Sequence, residues 1–168
     1  MESTLILFTS DHGDGQGDHH HWRKGYPYEF SSHVPFLVRW PEKMGSVDTK
    51  GFIPRGSVIK GPIVVELRDV APTMLDAAGI TVQASAGLFK PEDGKPISCL
   101  LRDPTGSSPC AFAGLTSPTW RKWVDLEHST CYNDTNHWSA LTNGQIKYVY
   151  KAWNNSEQLF NLTAGKNA

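Results

Sequence analysis

The sequence has little cysteine, no long apolar run and no block of like charge, and each shortage removes a class of protein. Cys99, Cys110 and Cys131 are the only cysteines in 168 residues. Their spacing fits no zinc pattern and no Cys-x-x-Cys redox motif. They read as small buried hydrophobes, with one disulfide if the protein is exported. No stretch approaches the roughly 20 apolar residues of a membrane span. Leu5 to Phe8 is too short for the apolar part of a secretory signal and runs straight into Asp11-His12. Sixteen basic and 17 acidic residues leave a net charge of −1. No basic run is longer than Arg23-Lys24, so the clustered basic face of a nucleic-acid binder is absent. An acidic tail is absent too.

What is present suits one ordinary domain with a sizeable core, at 39% apolar residues. Thr4 to Phe8 is a short unbroken apolar run, as in a parallel-sheet strand buried on both faces. Residues 11 to 33 hold Gly, Asp, His and Pro without a period and read as a long loop, the kind that usually carries function. Pro35 to Trp40 is a second strand, and Ile59 to Val65 a third. The clearest helix follows. Asp69 is placed to cap it, Pro72 falls in its first turn, Val70, Met74, Leu75 and Ala78 share a face, and Gly79 stops it. Residues 80 to 109 read as irregular.

Beyond Ala111 the pattern turns to β. Trp120 to Leu126, His137 to Leu141 and Gln158 to Leu162 are strand candidates. Asn143-Gly144 between Trp138–Thr142 and Gln145–Tyr150 is a strong hairpin signal. A small antiparallel sheet therefore closes the chain, with a boundary near residue 105. The first 80 residues offer about three strands and one helix, too few to cover a doubly wound sheet. The expectation is a fragment of a larger α/β enzyme. Three Asn-x-Ser/Thr sequons, at Asn133, Asn154 and Asn161, permit glycosylation in a secretory pathway.

Asp11 and His12 stand at the end of the first strand, where ligands bind in open α/β sheets. Successive strand side chains point apart, so both serve one ion only where the backbone leaves the strand, and Gly13 permits that. A carboxylate with an imidazole suits a divalent cation. With Asp14, Asp18, His19, His20, His21, Arg23 and Lys24 downstream, the segment reads as a metal or anion loop.

Thr9-Ser-Asp-His-Gly13, Gly17-Asp-His19, Trp22-Arg-Lys24, Tyr28-Glu29 and Val34-Pro35 together resemble the signature of the sulfatase family, in the alkaline-phosphatase-like superfamily. Asp69 to Gly79, Asp93 to Leu101, Trp138 to Thr142, Lys147-Tyr148 and Glu157 to Leu162 extend the likeness in the family's order. The resemblance implies an α/β fold. Residues 1–105 would be the C-terminal part of the sulfatase core, and 106–168 a small antiparallel β subdomain. It implies that Asp11 and His12 are ligands of a divalent cation, usually calcium. Lys24 would bind a sulfate oxygen, as a compact charge with three donors.

His19 lies near the site by motif position and is a candidate catalytic group without an assigned role. The alternative is a hydrogen-bonded loop anchor. His128, after Glu127, is a candidate substrate-binding residue, with a satisfied structural histidine as its alternative. Trp22, Tyr28 and Glu29 read as packing and loop-fixing residues. The substrate implied is a sulfate ester or sulfated carbohydrate, in an extracytoplasmic compartment: periplasmic, secreted or lysosomal. The family's nucleophile is a formylglycine made from Cys in Cys-x-Pro/Ala-x-Arg, and none of the three cysteines has that context. The family's N-terminal Asp pair, which completes the metal site, is also missing, so the 168 residues alone are expected to be inactive. A phosphate or phosphonate ester hydrolase of the same superfamily, or a non-catalytic chain, are the competing readings.

Overall fold

A computed structural model of the chain describes residues 3–42, 49–60, 62–80, 94–112, 115–117, 119–129 and 134–164. Cys131 and the sequon residue Asn133 lie outside these residues, as does Asp93 of the family-like segment. The architecture is mixed α/β. Contacts group it into two compact units, Met1–Leu7 with Val38–Lys122, and Phe8–Leu37 with Trp123–Ala168. The division passes through β1 (Ile6–Thr9) and β2 (Phe36–Arg39), which form a two-stranded sheet, with the one-turn helix α1 (Glu29–Ser32) between them in the sequence.

The first unit holds α2 (Val70–Ala77), α3 (Ser98–Arg102) and the hairpin of β3 (Cys110–Phe112) and β4 (Leu115–Ser117). Trp40, Val64, Ala77, Ile97, Leu100 and Trp120 are buried. A disulfide joins Cys99 on α3 to Cys110 on β3. Helix α2 lies where the apolar spacing and Pro72 put it. Asp69, however, makes no side-chain cap to α2. Its carboxylate is fully buried and accepts from the amides of Glu66 and Lys95 and from Arg121. Ile59 to Val65 contains no strand among its described residues. Pro62 in its middle has no N–H to give a ladder, and the Val64 carbonyl instead accepts from the buried Trp120 indole at 2.8 Å. The stretch read as irregular contains α3.

The second unit is built on a four-stranded antiparallel sheet, β5 (Val124–His128), β6 (Trp138–Thr142), β7 (Ile146–Lys151) and β8 (Ser156–Asn161), in sequence order. The Asn143-Gly144 turn joins β6 to β7, and Gly144 takes the φ of +80° that such a turn requires. One face carries Leu126, Trp138, Ala140, Val149 and Phe160, which form the core cluster. The period of two places Lys147 and Lys151 on that same face, with Val149 between them. Lys147 is buried. A lysine there needs partners, and residues 27–32 supply them.

β1 departs from expectation. Ile6 is 39% and Phe8 61% exposed, so the strand is not buried on both faces among the described residues.

Candidate functional site

The loop after β1 is folded back on itself by backbone bonds. Gly13 donates to Ser31, Gly15 to Arg23 and Gly17 to His21, each at 2.9 Å. Gly13 is required for a reason the sequence did not show: a Cβ there would lie 1.8 Å from the Phe30 carbonyl oxygen. Four non-glycine residues between 16 and 23 hold left-handed φ: Gln16 (45°), His19 (48°), His20 (61°) and Arg23 (73°). That conformation costs free energy and persists only where surroundings over-determine it.

The surroundings are visible. His19 stacks on Tyr28 at 5.1 Å, and His21 stacks on Tyr26 at 4.2 Å. Phe160 meets Tyr28 edge-on at 5.9 Å. Further along, the Trp138 indole donates to the Gly25 carbonyl at 2.9 Å. Lys147 donates to the Pro27 carbonyl at 3.0 Å and to Ser32 Oγ at 2.7 Å, and pairs with Glu29. Tyr28 donates to Gln158, and Lys151 donates to the Tyr28 hydroxyl at 3.2 Å. Residues 25–32 are thus fastened to the inner face of the β5–β8 sheet. This is the loop-fixing role expected of Tyr28 and Glu29. Trp22, expected to pack, is 70% exposed instead.

Asp11 and His12 leave β1 side by side. His12 Nδ1 lies 2.9 Å from the Gly13 carbonyl, which can only accept, so Nδ1 carries the ring proton. His12 Nε2 lies 3.3 Å from Asp11 Oδ2. The Asp11 side chain is 81% exposed. Desolvation raises its pKa, but His12, the amides of Asp11 and His12, and Lys24 outweigh it and hold the carboxyl below its ordinary value. Lys24 therefore stands within electrostatic reach of the pair. Among the described residues no group of three His, Cys, Asp or Glu side chains converges as a metal site.

Lys24 opens into a cleft of about 450 Å³ within this same unit. Its walls include Trp22, Arg23, Lys24, Tyr28, Lys151 and Trp153. His19 does not line it and remains stacked on Tyr28. His128 stands behind Gly25, where an added Cβ would lie 3.1 Å from its Nε2. Its Nδ1 faces the Asn136 carbonyl at 2.9 Å and its ring stacks on Trp138. Sequence reasoning missed Lys147, Lys151 and Trp153. The available signal was the spacing of Lys147 and Lys151, which puts both on one face of a strand.

The Sulfatase family model matches residues 1–80. An arylsulfatase of Clostridium perfringens (strain 13 / Type A) is 33% identical over 162 residues, 96% of this chain and 28% of that protein. The chain belongs to the sulfatase family. Solved structures share its fold. A protein in complex with its substrate D-glucosamine-2-N,6-O-disulfate superposes with a TM-score of 0.61 at 19% identity, covering 96% of this chain and 28% of the other. The phosphonate monoester hydrolase of Silicibacter pomeroyi gives 0.61 at 22% identity, covering 96% and 29%. The sulfatase-family chain thus spans well under a third of its relative's length. No helix among its described residues is long and apolar enough to cross a membrane.

Proposed function

We propose that this chain supplies part of the active centre of a sulfuric ester hydrolase acting on a sulfated carbohydrate or aryl sulfate. Asp11 and His12 would hold a divalent cation, calcium by family, and Lys24 a sulfate oxygen. The observation that carries the reading is the facing pair of Asp11 Oδ2 and His12 Nε2 at 3.3 Å, with Lys24 near enough to lower the Asp11 pKa. The donors fit: a hard carboxylate and an imidazole whose Nδ1 is turned to the Gly13 carbonyl. Calcium takes roughly six to eight ligands, so the remainder would come from chain beyond these 168 residues. When bound, the cation stabilises negative charge on the ester oxygens. Lys24 adds a fixed ammonium for the same charge without reorganisation. Gly13 and the fastened 25–32 segment keep the two groups in register. His19 is carried only as a nearby group held against Tyr28, and His128 as a support behind Gly25.

The phosphonate monoester hydrolase neighbour keeps phosphate or phosphonate ester hydrolysis as a second reading, because the fold serves both. The sequence identity to an arylsulfatase favours sulfate. A Cys-x-Pro-x-Arg nucleophile motif in the joined chain marks the first reading, and Ser or Thr in its place the second. The Cys99–Cys110 disulfide suits an oxidising, extracytoplasmic compartment.

Heteronuclear NMR of the chain tests the site. Millimolar calcium is expected to shift the His12 imidazole resonances, and sulfate the Lys24 amide, with the calcium response lost in Asp11→Ala. An unchanged His12 signal, or an identical response in Asp11→Ala, would refute the cation assignment. Turnover of 4-nitrophenyl sulfate is expected to be absent from the 168 residues alone.

A further inference from the structure

The cleft beside Lys24 has a composition that sulfate binding at Lys24 does not account for. Arg23 and Lys151 bring two more cations to its walls, and no Asp or Glu lines it among the described residues. The chain as a whole has slightly more acids than bases, so a carboxylate-free cleft with three cations is a local departure. His21, also in the wall, has its pKa pushed down by burial first and then by Lys151, His19 and His20, so its surroundings disfavour a further cation there. Lys151 is held rather than loose. It donates to the Tyr28 hydroxyl at 3.2 Å and lies 5.6 Å from the centre of that ring. Between the cations stand large rings open to solvent: Trp22 is 70% and Trp153 53% exposed. Two exposed tryptophans that line one cleft with polar groups around them have the make-up of a ligand-binding groove. Their faces suit the C–H faces of pyranose rings, while ammonium and guanidinium groups suit sulfate and carboxylate.

We propose that Lys151 and Arg23, with Trp153 and Trp22 as stacking surfaces, form a second anionic subsite. It would take a sulfate or carboxylate on the sugar next to the one whose sulfate meets Lys24. The ligand class is therefore a polyanionic oligosaccharide with at least two charged groups, rather than a simple aryl sulfate. This rests on the reading of Lys24 given above. The geometry argues for a sugar over a nucleic acid, because three cations in one concavity do not make the extended basic track that a phosphate backbone needs.

The test titrates the 168-residue chain, followed by tryptophan fluorescence and calorimetry. The two probes are N,6-disulfated glucosamine and its disaccharide with an unsulfated uronic acid, which adds one carboxylate on the neighbouring sugar. The disaccharide is expected to bind about tenfold tighter or more, the effect of one added charge-assisted contact. Lys151→Met should abolish that preference and leave the monosaccharide affinity unchanged. Trp153→Ala, an exposed turn position, should weaken the disaccharide without altering thermal stability, and serves if Lys151→Met does not fold. Lys24→Met should weaken both probes. Equal affinity for the two probes, a preference that survives Lys151→Met and Trp153→Ala, or equally tight binding of a DNA duplex overturns the subsite while leaving Lys24 standing. Failure of both probes to bind overturns the Lys24 reading and the subsite with it.

Discussion

Arg121 lays its two terminal guanidinium nitrogens on the two oxygens of Asp69, each at 2.6 Å, across 52 residues of sequence. Its Nε meets Glu66 at 3.1 Å. Asp69 has no solvent exposure, so its charge depends on this fork and on the amides of Glu66 and Lys95. Removing one partner of a buried ion pair costs about 3–5 kcal/mol. Asp69→Ala is expected to lower stability by that order, read from the urea midpoint at constant slope. A change below about 1 kcal/mol would show that the pair is dispensable.

Lys147 is the corresponding element of the second unit. Its side chain is 3% exposed and its ammonium is shared by Glu29, Pro27 and Ser32. Lys147→Met keeps the apolar stem but leaves the Pro27 carbonyl with only the 3.4 Å bond from Ser32 Oγ, and Glu29 without its buried cation. We expect a loss of about 2–4 kcal/mol and release of residues 25–32, seen as faster amide exchange at Gly25 and Ser31.

Glu29 gives this network a pH signature. Burial opposes its ionisation, but hydrogen bonds and charge from His33 and Lys147 hold its pKa down to about 2, from an ordinary 4.5. A depressed carboxylate stabilises the fold above its unfolded pKa. Stability is therefore fully present above about pH 4.5 and drains away as pH falls toward 2. With 30% of the side chain exposed, the loss is on the order of 2 kcal/mol. His33 acts in the opposite sense. Its hydrogen bond to Glu29 raises its pKa, so its smaller contribution fades as pH rises through that raised value. Glu29→Gln should flatten both limbs of a plot of urea midpoint against pH.

Reduction of Cys99–Cys110 frees a loop of sequence separation 11. Loop-closure entropy puts the expected loss at about 2–3 kcal/mol. The midpoint under dithiothreitol and that of Cys99→Ser should agree, and no change in either would mean the bond constrains nothing.

Gly13→Ala sets a methyl group against the Phe30 carbonyl. Overpacking against backbone costs about 1–3 kcal/mol, and the loop must move to relieve it. The His12 and Lys24 amide resonances should shift together with the loss of stability. A silent substitution would mean the approach is not tight.

Much of this was legible in the chain. Asn143-Gly144 announced its hairpin, since few other pairs tolerate the turn. Pro72 and Gly79 bracketed α2. Trp120 to Leu126 looked like one strand, yet the strand begins at Val124. Trp120 and Arg121 are drawn instead to Val64 and Asp69, partners that no local pattern reveals. Asp69 looked like a helix cap because capping chemistry is local, whereas its real partner is remote. β7 is the clearest case. Hydropathy favours Ile146, Tyr148 and Tyr150 as its inner face, but Lys147, Val149 and Lys151 point inward. Long-range partners for the two lysines, Glu29 and Tyr28 among them, decide the matter.

The bonds that hold residues 25–32 reach 113 to 130 positions down the chain. On a ribosome, the segment bearing Asp11, His12 and Lys24 emerges long before β6, β7 and β8 exist to receive it. The arm must wait, unsupported, until those strands have been made. A premature stop anywhere before residue 158 would leave it without the Tyr28–Gln158 tie, and the arm would be the first part of the molecule offered to proteases.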